Sequence, residues 1–527
     1  MTFATLRALH AVIGTAIDDI ERVYIERSPQ GDTLEYPSLD EPYYHTAQHT
    51  PEEELAEALK DDPAVAAASK RIVAACAQLS TTVNKPWFRL MEDVMWAQFS
   101  SAIGFLEAAN IVEILREAGP GGLHVQEILR LVLELRTNSK TAAPPETVPL
   151  TPVHLSHILR LLATGHYLCE VTPDVFANNR ASSYIDSGKT LSQLRQDRRL
   201  TTLTTSRPEK KYNNTDGVAA YVGVIADTDF DYRAQPPPEL FGQPAEDAVN
   251  GGGNTPYATL FNFTFNTQLD FFSWLELPEN EGRLMRFGHA MAGSGQCEAK
   301  DAVLQGFSWE ELPQGAVLVD VGGGIGSQAM LVAQTHPHIH AVVEDREQVV
   351  STAASAWGPQ YAHLLESGRV SWRTRDFFQA WSPLDLPDLG LVDVPAVFLL
   401  RLVMHDWKDE DCNRILTRLR AAAGPDTKLL IGDMLLQHAC ATDAEYAAAD
   451  GSGATFPFVT KDSPLMPNLG VANILGYFMD LFMMGVFDAK ERTANEMAAL
   501  TLSAGWKIVE VRRAPGSIWA YTTAVPV

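Results

Sequence analysis

Residues 315 to 330 read GAVLVDVGGGIGSQAM: an apolar run, an aspartate, then four glycines within five positions. Glycines at the end of a strand let a ligand approach the backbone, so the first question is which ligand. A triphosphate cradle is excluded, because the pattern GxxxxGK[ST] needs a lysine and none follows Gly326. The dinucleotide pattern GxGxxG also fits poorly. Counted from Gly322 its third glycine falls on Ser327, and counted from Gly324 it fails as well.

What remains is Asp320-x-Gly322-x-Gly324-x-Gly326, an acid followed by alternate glycines, with no basic residue to meet phosphate. Twenty-five positions after Asp320 the run HAVVED ends in Asp345, whose carboxylate can accept hydrogen bonds from both hydroxyls of a ribose. A nucleoside without phosphates that carries an amino-acid tail is S-adenosylmethionine, and that is the cofactor these residues suit.

Four further motifs follow in order: VVEDREQVV, RDFF, LLRLVMHDWKDEDCNRIL and AKERTANEMAALTLSAGW. Together with VDVGGGIG they make the chain resemble the class I O-methyltransferases of the plant and fungal caffeic-acid type, over about residues 90 to 527. The resemblance implies methyl transfer to the hydroxyl of a small aromatic or secondary metabolite. Phenols have a pKa near ~10, so a base must take the proton as oxygen attacks, and histidine, with its pKa near ~6.5, is suited to that. His405 falls in the family's base position, with Asp433 in LLIGDMLL and Glu491 in AKERT as the two acids that hold the imidazole. Asp376 is implied as the contact to the adenine amino group, Phe377 as its stacking partner, and Arg401 as the cation where plant members usually have lysine. Phe287, Met291 and Met484 are implied to line the acceptor pocket. No metal is required, since a histidine stands where metal-dependent catechol enzymes gather carboxylates. The resemblance also implies a homodimer built through the helical N-terminal half.

Each residue has a plainer reading beside the chemical one. The glycine turn could simply permit close helix–strand packing. His405 could be an ordinary helix-start histidine, and Asp406 fits a cap on the following helix as well as a cofactor contact. Asp433 could be a solvated strand end, and Glu491 a surface partner of Lys490 or Arg492. Phe287 and Met291, four apart on one predicted helix, have the spacing of ordinary core. Asp480, in the apolar stretch YFMDLFMM, needs a partner that the sequence does not identify. Two functional alternatives also stand: an enzyme that keeps the cofactor for pericyclic or hydroxylating chemistry, and a non-catalytic partner in a heterodimer. Loss of the histidine or decay of the glycine turn would mark the second, and the sequence shows neither.

The elements that must position these residues change in texture along the chain. PEEELAEALKDD, PAVAAASKRIVAACAQLS and WAQFSSAIGFLEAANIVEILREAG carry apolar stripes bounded by Pro and Gly, which predicts helices. A helix leading through Gly165 into alternating residues predicts a winged-helix-like unit. From residue 312 onward AVLVDV, HAVVED, VSWRTRDFF, AVFLLRLV and TKLLIGDMLL alternate with helical stretches, which predicts a mainly parallel, doubly wound sheet. The expected fold is α/β: a Rossmann-like methyltransferase domain over 271–527, preceded over 1–270 by a mainly α-helical, winged-helix-like dimerisation domain with loop insertions. Long loops are expected through 186–255, where TTSRPEKKYNNTDG, QPPPEL and NGGGN occur.

Lys and Arg number 41 against 66 Asp and Glu, a net charge of −25, and a field of that sign repels nucleic acid and anionic membranes. Five scattered cysteines without CxxC spacing suggest neither a zinc site nor a disulfide framework, so a reducing, cytoplasmic setting is expected. Leu6, Leu9, Val12, Ile13 and Ile20 recur at helical spacing and predict an amphipathic helix in place of a targeting segment. No stretch is expected to reach the length of a membrane span.

Overall fold

Runs of the C-terminal half such as AVLVDV and KLLIGDMLL are buried on both faces, as a sheet covered by helices requires. A computed structural model describes residues 2–29, 34–137, 150–199, 209–226, 259–298, 301–353, 357, 361–448, 456–513 and 518–527. The chain divides into two compact units, one of Met1–Val23, Asp61–Thr82 and Glu298–Val527, the other of Tyr24–Lys60 and Val83–Cys297. The division therefore falls at 297/298, not at 270, and N-terminal helical segments group with the sheet. One physical reason is visible: Leu9, Ala74 and Ala75 bury themselves against Leu465 and Leu469 in a shared apolar cluster.

The helical unit holds a three-stranded antiparallel sheet of β1 (Leu123–His124), β2 (Leu168–Thr172) and β3 (Val175–Asn178), in the order β1-β3-β2. The helices Ile111–Ala118, Val125–Thr137 and Pro152–Thr164 pack on it through Ile114, Leu115, Ile128, Leu159 and Phe176, which is the expected winged-helix arrangement. Gly165 is required where the last of these helices ends, because a Cβ there would lie 1.9 Å from the Phe99 ring.

Part of the stretch expected to be loop is helical: Leu191–Arg199, Glu209–Tyr212 and Val218–Ile225. It is tied down by Lys211, buried at 2.7 Å from Glu107 and 3.4 Å from Glu113. QPPPEL and NGGGN lie outside the described residues.

The sheet of the other unit takes β4 (Ala316–Val321), β5 (Ile339–Asp345), β6 (Val370–Thr374), β9 (Val397–Arg401), β10 (Lys428–Leu436), β12 (Trp506–Arg512) and β13 (Trp519–Pro526). Between β6 and β9 the short strands β7 (Leu384–Leu386) and β8 (Gly390–Val392) form a hairpin, and β11 (Arg492–Thr493) pairs with the end of β10. The order is β12-β13-β10-β9-β4-β5-β6, parallel from β10 to β6 and antiparallel at β13 and β12. The strand order reverses between β4 and β9, and the crevice beyond their carboxyl ends is where ligands bind in such sheets. Asp320, Asp345 and Arg401 all stand at that edge.

One expectation is corrected. Among the described residues, Gly470–Phe487 is long and apolar enough, by length and composition, to cross a membrane. A 3-10 turn, Gly470–Asn473, and the helix Ile474–Phe487 join there into one run.

Candidate functional site

Beyond β9 the chain turns sharply. Leu402 adopts φ +53°, a left-handed conformation that costs a leucine about 1–2 kcal/mol. Its N–H is shared between the carbonyl of Gly432 at 3.0 Å and Oδ1 of Asp433 at 3.1 Å, both on neighbouring β10. The turn Met404–Asp406 follows at once, with Met404 and His405 buried. His405 Nδ1 lies 2.7 Å from Glu491 Oε1. That contact places a proton on Nδ1 and leaves Nε2 as the atom able to accept one. Asp406 Oδ1 stands 3.5 Å from Nε2, too long for a good hydrogen bond but close enough to favour the charged ring.

Burial alone drives the His405 ring toward its neutral form, but Asp406, Glu491 and more weakly Asp433 outweigh it and hold its pKa up to about 10. Burial pushes Asp433 up to about 7 and Asp406 up to about 6, with His405 opposing in both cases. Before any cation joins it, the cluster therefore retains protons at neutral pH. A cationic ligand opposes that charge and shifts the ring toward its neutral form.

The structure separates the two acids expected to hold the imidazole. Glu491 does so. Asp433 does not: its Oδ1 is taken by the N–H of Leu402, and its Oδ2 has no hydrogen-bond partner among the described residues. Aspartate, one methylene shorter than glutamate, is held at the strand edge by that strained turn. Nor is it a solvated strand end, since it is buried.

Glu491 pairs with neither Lys490 nor Arg492. Lys490 reaches Glu496 at 2.7 Å, and Arg492 reaches Asp409. Asp406 is not a helix cap, because the next helix, Asp409–Ala422, begins after Lys408. Asp480 gains the partner its sequence context demanded: its Oδ1 accepts the N–H of Glu491 at 2.9 Å.

The cofactor residues gather around the end of β4. Gly322, Gly324 and Gly326 all have positive φ, at +71°, +61° and +84°. A Cβ on Gly326 would lie 2.9 Å from Val343 and one on Gly322 3.0 Å from Val403, whereas one on Gly324 would meet nothing within 4 Å. The turn is thus packed from below and open at Gly324. Asp345 Oδ2 accepts the N–H of Gly324 at 2.8 Å, and Oδ1 accepts that of Arg346 at 2.7 Å, leaving each oxygen a further lone pair. Asp320 is buried at the strand end, its Oδ2 has no partner among the described residues, and burial pushes its pKa up to about 7. An orphaned carboxylate oxygen, an open glycine and an uncommitted pair of lone pairs fit the amino and ribose groups of S-adenosylmethionine.

Phe377 borders the same turn, 3.8 Å from a Cβ placed on Gly322, and meets Trp407 edge-on at 5.7 Å. Asp376 is exposed, and its carboxylate accepts the N–H of Phe378 at 2.9 Å. Arg401 is engaged elsewhere: its Nε donates to Glu298 at 2.6 Å, and its guanidinium lies 5.2 Å over Trp519. Sequence reasoning missed Glu298 and also Tyr521, whose hydroxyl donates to the same carboxylate at 3.1 Å. A buried arginine does demand a countercharge, but nothing in the sequence points to a residue 103 positions away.

Of the acceptor residues, Met484 is half-buried on the helix Ile474–Phe487 of the sheet unit. Phe287 and Met291 lie on Glu281–Gly293 of the helical unit. Phe287, half-buried, joins an aromatic cluster, edge-on to Phe271 at 5.3 Å, while Met291 is exposed.

Residues 244–450 match the O-methyltransferase domain family. An O-methyltransferase of Armillaria gallica is 35% identical over 509 residues, 96% of this chain and 95% of that protein. The 4-O-methyltransferase 1 of Phanerochaete chrysosporium is 33% identical over 512 residues, 96% of each chain. Among solved structures, LepI in complex with S-adenosylmethionine aligns at TM-score 0.58 and 15% identity, over 90% of this chain and all of that one, a likeness of fold. With near full-length identity above 30% to two fungal enzymes and a site built for a sulfonium nucleoside, the chain belongs to the class I, S-adenosylmethionine-dependent O-methyltransferases.

Proposed function

We propose that this O-methyltransferase methylates a hydroxyl of a small aromatic metabolite, with His405 as general base. The observation that supports the reading is the buried His405–Glu491 pair, with Nδ1 held by Glu491 and Asp406 3.5 Å from Nε2. S-adenosylmethionine, when bound, supplies a methyl group on a positively charged sulfur. His405 Nε2 accepts the hydroxyl proton as the O–CH3 bond forms and the C–S bond breaks, leaving S-adenosylhomocysteine and a methyl ether. Glu491 keeps the second ring proton on Nδ1 and stabilises the imidazolium. Asp320, Asp345 and the glycines Gly322, Gly324 and Gly326 hold the cofactor. Asp376 and Phe377 frame its base. Arg401, bound to Glu298, serves as a neutralised wall, not as a free charge.

The reading is tested by incubating the protein with methyl-labelled S-adenosylmethionine and a panel of phenols including catechol, guaiacol and 4-hydroxybenzaldehyde, with and without EDTA. Label in the organic extract, undiminished by chelation, is expected. A large loss with EDTA contradicts the base mechanism, and cofactor binding without transfer to any acceptor favours a non-methylating enzyme on the same fold.

The homodimer belongs to the same proposal. In the helical unit Trp87, Phe88, Leu90, Val94, Met95 and Trp96 are exposed on and just after the helix Pro86–Val94. Sedimentation at twice the chain mass is expected, and a stable single chain at micromolar concentration contradicts it.

A further inference from the structure

The motif AKERT places three different tasks on three successive residues. Glu491 bonds the His405 ring, and Thr493 caps the helix Ala494–Ser503 in a reciprocal capping box with Glu496. Arg492 lies between them, and its side chain is only 1% exposed. Its guanidinium reaches the backbone on both sides of His405. Nη1 donates to the carbonyl of Met404 at 2.6 Å and Nη2 to that of Trp407 at 2.9 Å, the residues one before and two after His405. Nε and Nη2 both donate to Asp409 Oδ1, at 2.9 and 2.8 Å, which fixes the start of the following helix. Cys412, at 3.3 Å from Nη2, supports the same two carbonyls from below, its thiol 3.2 Å from the oxygen of Met404.

A planar fork with five donors can bracket two carbonyls and a carboxylate at once, and a lysine cannot. Because Glu491 and Arg492 are neighbours on one strand end, the ring's partner and the turn's clamp move together. Asp480, from the helix Ile474–Phe487, holds that strand end by accepting the N–H of Glu491.

We propose that Arg492 is a positioning residue for the base, locking the backbone of the His405 turn in register with Glu491, and that Asp480 anchors the dipeptide from which both act. The proposal rests on His405 being the base. Misplacing a reacting group by about 1 Å costs up to about 10²-fold in rate, so the clamp acts on kcat and hardly on cofactor affinity.

The test uses the full chain and the variants Arg492→Lys, Asp480→Ala and Asp480→Asn. Each is checked for folding by calorimetric binding of S-adenosylhomocysteine. Two quantities are then read: steady-state kcat and KM with labelled cofactor and the fastest phenol of the panel, and the titration of His405 in the S-adenosylhomocysteine complex by 13C-histidine NMR. Arg492→Lys keeps the charge, so a displaced titration reports geometry. The expected result is S-adenosylhomocysteine binding within about threefold of the parent, kcat down by about 10- to 10²-fold, and a His405 midpoint lowered by about one pH unit as contact with Glu491 loosens. Asp480→Ala should behave likewise, and Asp480→Asn, which keeps an acceptor oxygen, should restore most of the loss.

Folded variants whose kcat and His405 titration match the parent, with only the melting temperature lowered, overturn the proposal. If His405→Ala retains full kcat, the base reading fails instead, and the NMR titration still decides whether Arg492 positions the ring.

Discussion

At the scale of single residues, one methylene separates the fates of two acids. Glu491 reaches the imidazole and Asp433 is kept at the strand edge, where it accepts the N–H of a strained leucine. Replacing Glu491 with Gln removes a negative charge from a ring whose pKa is held above its usual value, so the neutral ring appears at lower pH. The ascending limb of kcat against pH should therefore move to lower pH while the plateau falls by about 10- to 10²-fold. An unmoved limb contradicts the pairing. The stability supplied by a raised histidine is complete below its unfolded pKa and lost as pH rises through about 10. The difference in stability between the parent and Glu491→Gln should accordingly shrink in strongly alkaline buffer. For Asp433 the expectation differs: Asn keeps an oxygen for Leu402 and should preserve the turn, whereas Ala should release it and lose activity. Equal activity of Asp433→Asn and Asp433→Ala shows that the Leu402 contact is unimportant.

At the scale of elements, the glycine turn between β4 and the helix Ser327–Thr335 makes a distinction the sequence alone cannot. A methyl on Gly324 meets open space, while one on Gly326 collides with Val343, and both residues have positive φ. Gly324→Ala should fold with a cost of about 1–2 kcal/mol and bind S-adenosylhomocysteine at least about tenfold more weakly. Gly326→Ala should lose stability first. Calorimetry and thermal melting check both, and Gly324→Ala with parental affinity shows that no ligand approaches that face. The strand ends, the glycine turn and the His405–Glu491 pair were legible because each depends on local pattern or on motif order. What escaped the sequence depends on contacts across long separations or on backbone atoms. Arg401 is claimed by Glu298 from outside any motif, and Asp480 binds the N–H of Glu491, a donor that every residue other than proline carries. Leu402 gives no sign in its residue type that it turns left-handed.

At the scale of the whole molecule, the helical unit contains a buried ion cluster in a segment the sequence suggested was loop. Replacing Lys211 with Met leaves Glu107 and Glu113 buried without their cation, beside Ser187 at 2.5 Å from Glu113, and should destabilise that unit by about 3–5 kcal/mol. Differential scanning calorimetry should then show one transition lowered, and an unchanged thermogram means that the segment contributes little to folding. The grouping of N-terminal segments with the sheet was not legible either, because the apolar cluster of Leu9, Ala75 and Leu465 joins residues nearly the length of the chain apart. The central claim, that an O-methyltransferase of this family uses His405 as its base, is tested most directly by a single-turnover rate of methyl transfer to the best phenol, for the parent and for His405→Ala. Both proteins must be saturated with S-adenosylmethionine. A fall of about 10²- to 10⁴-fold at neutral pH, with cofactor binding retained, is the predicted result. Equal single-turnover rates would show that the proton leaves by another route.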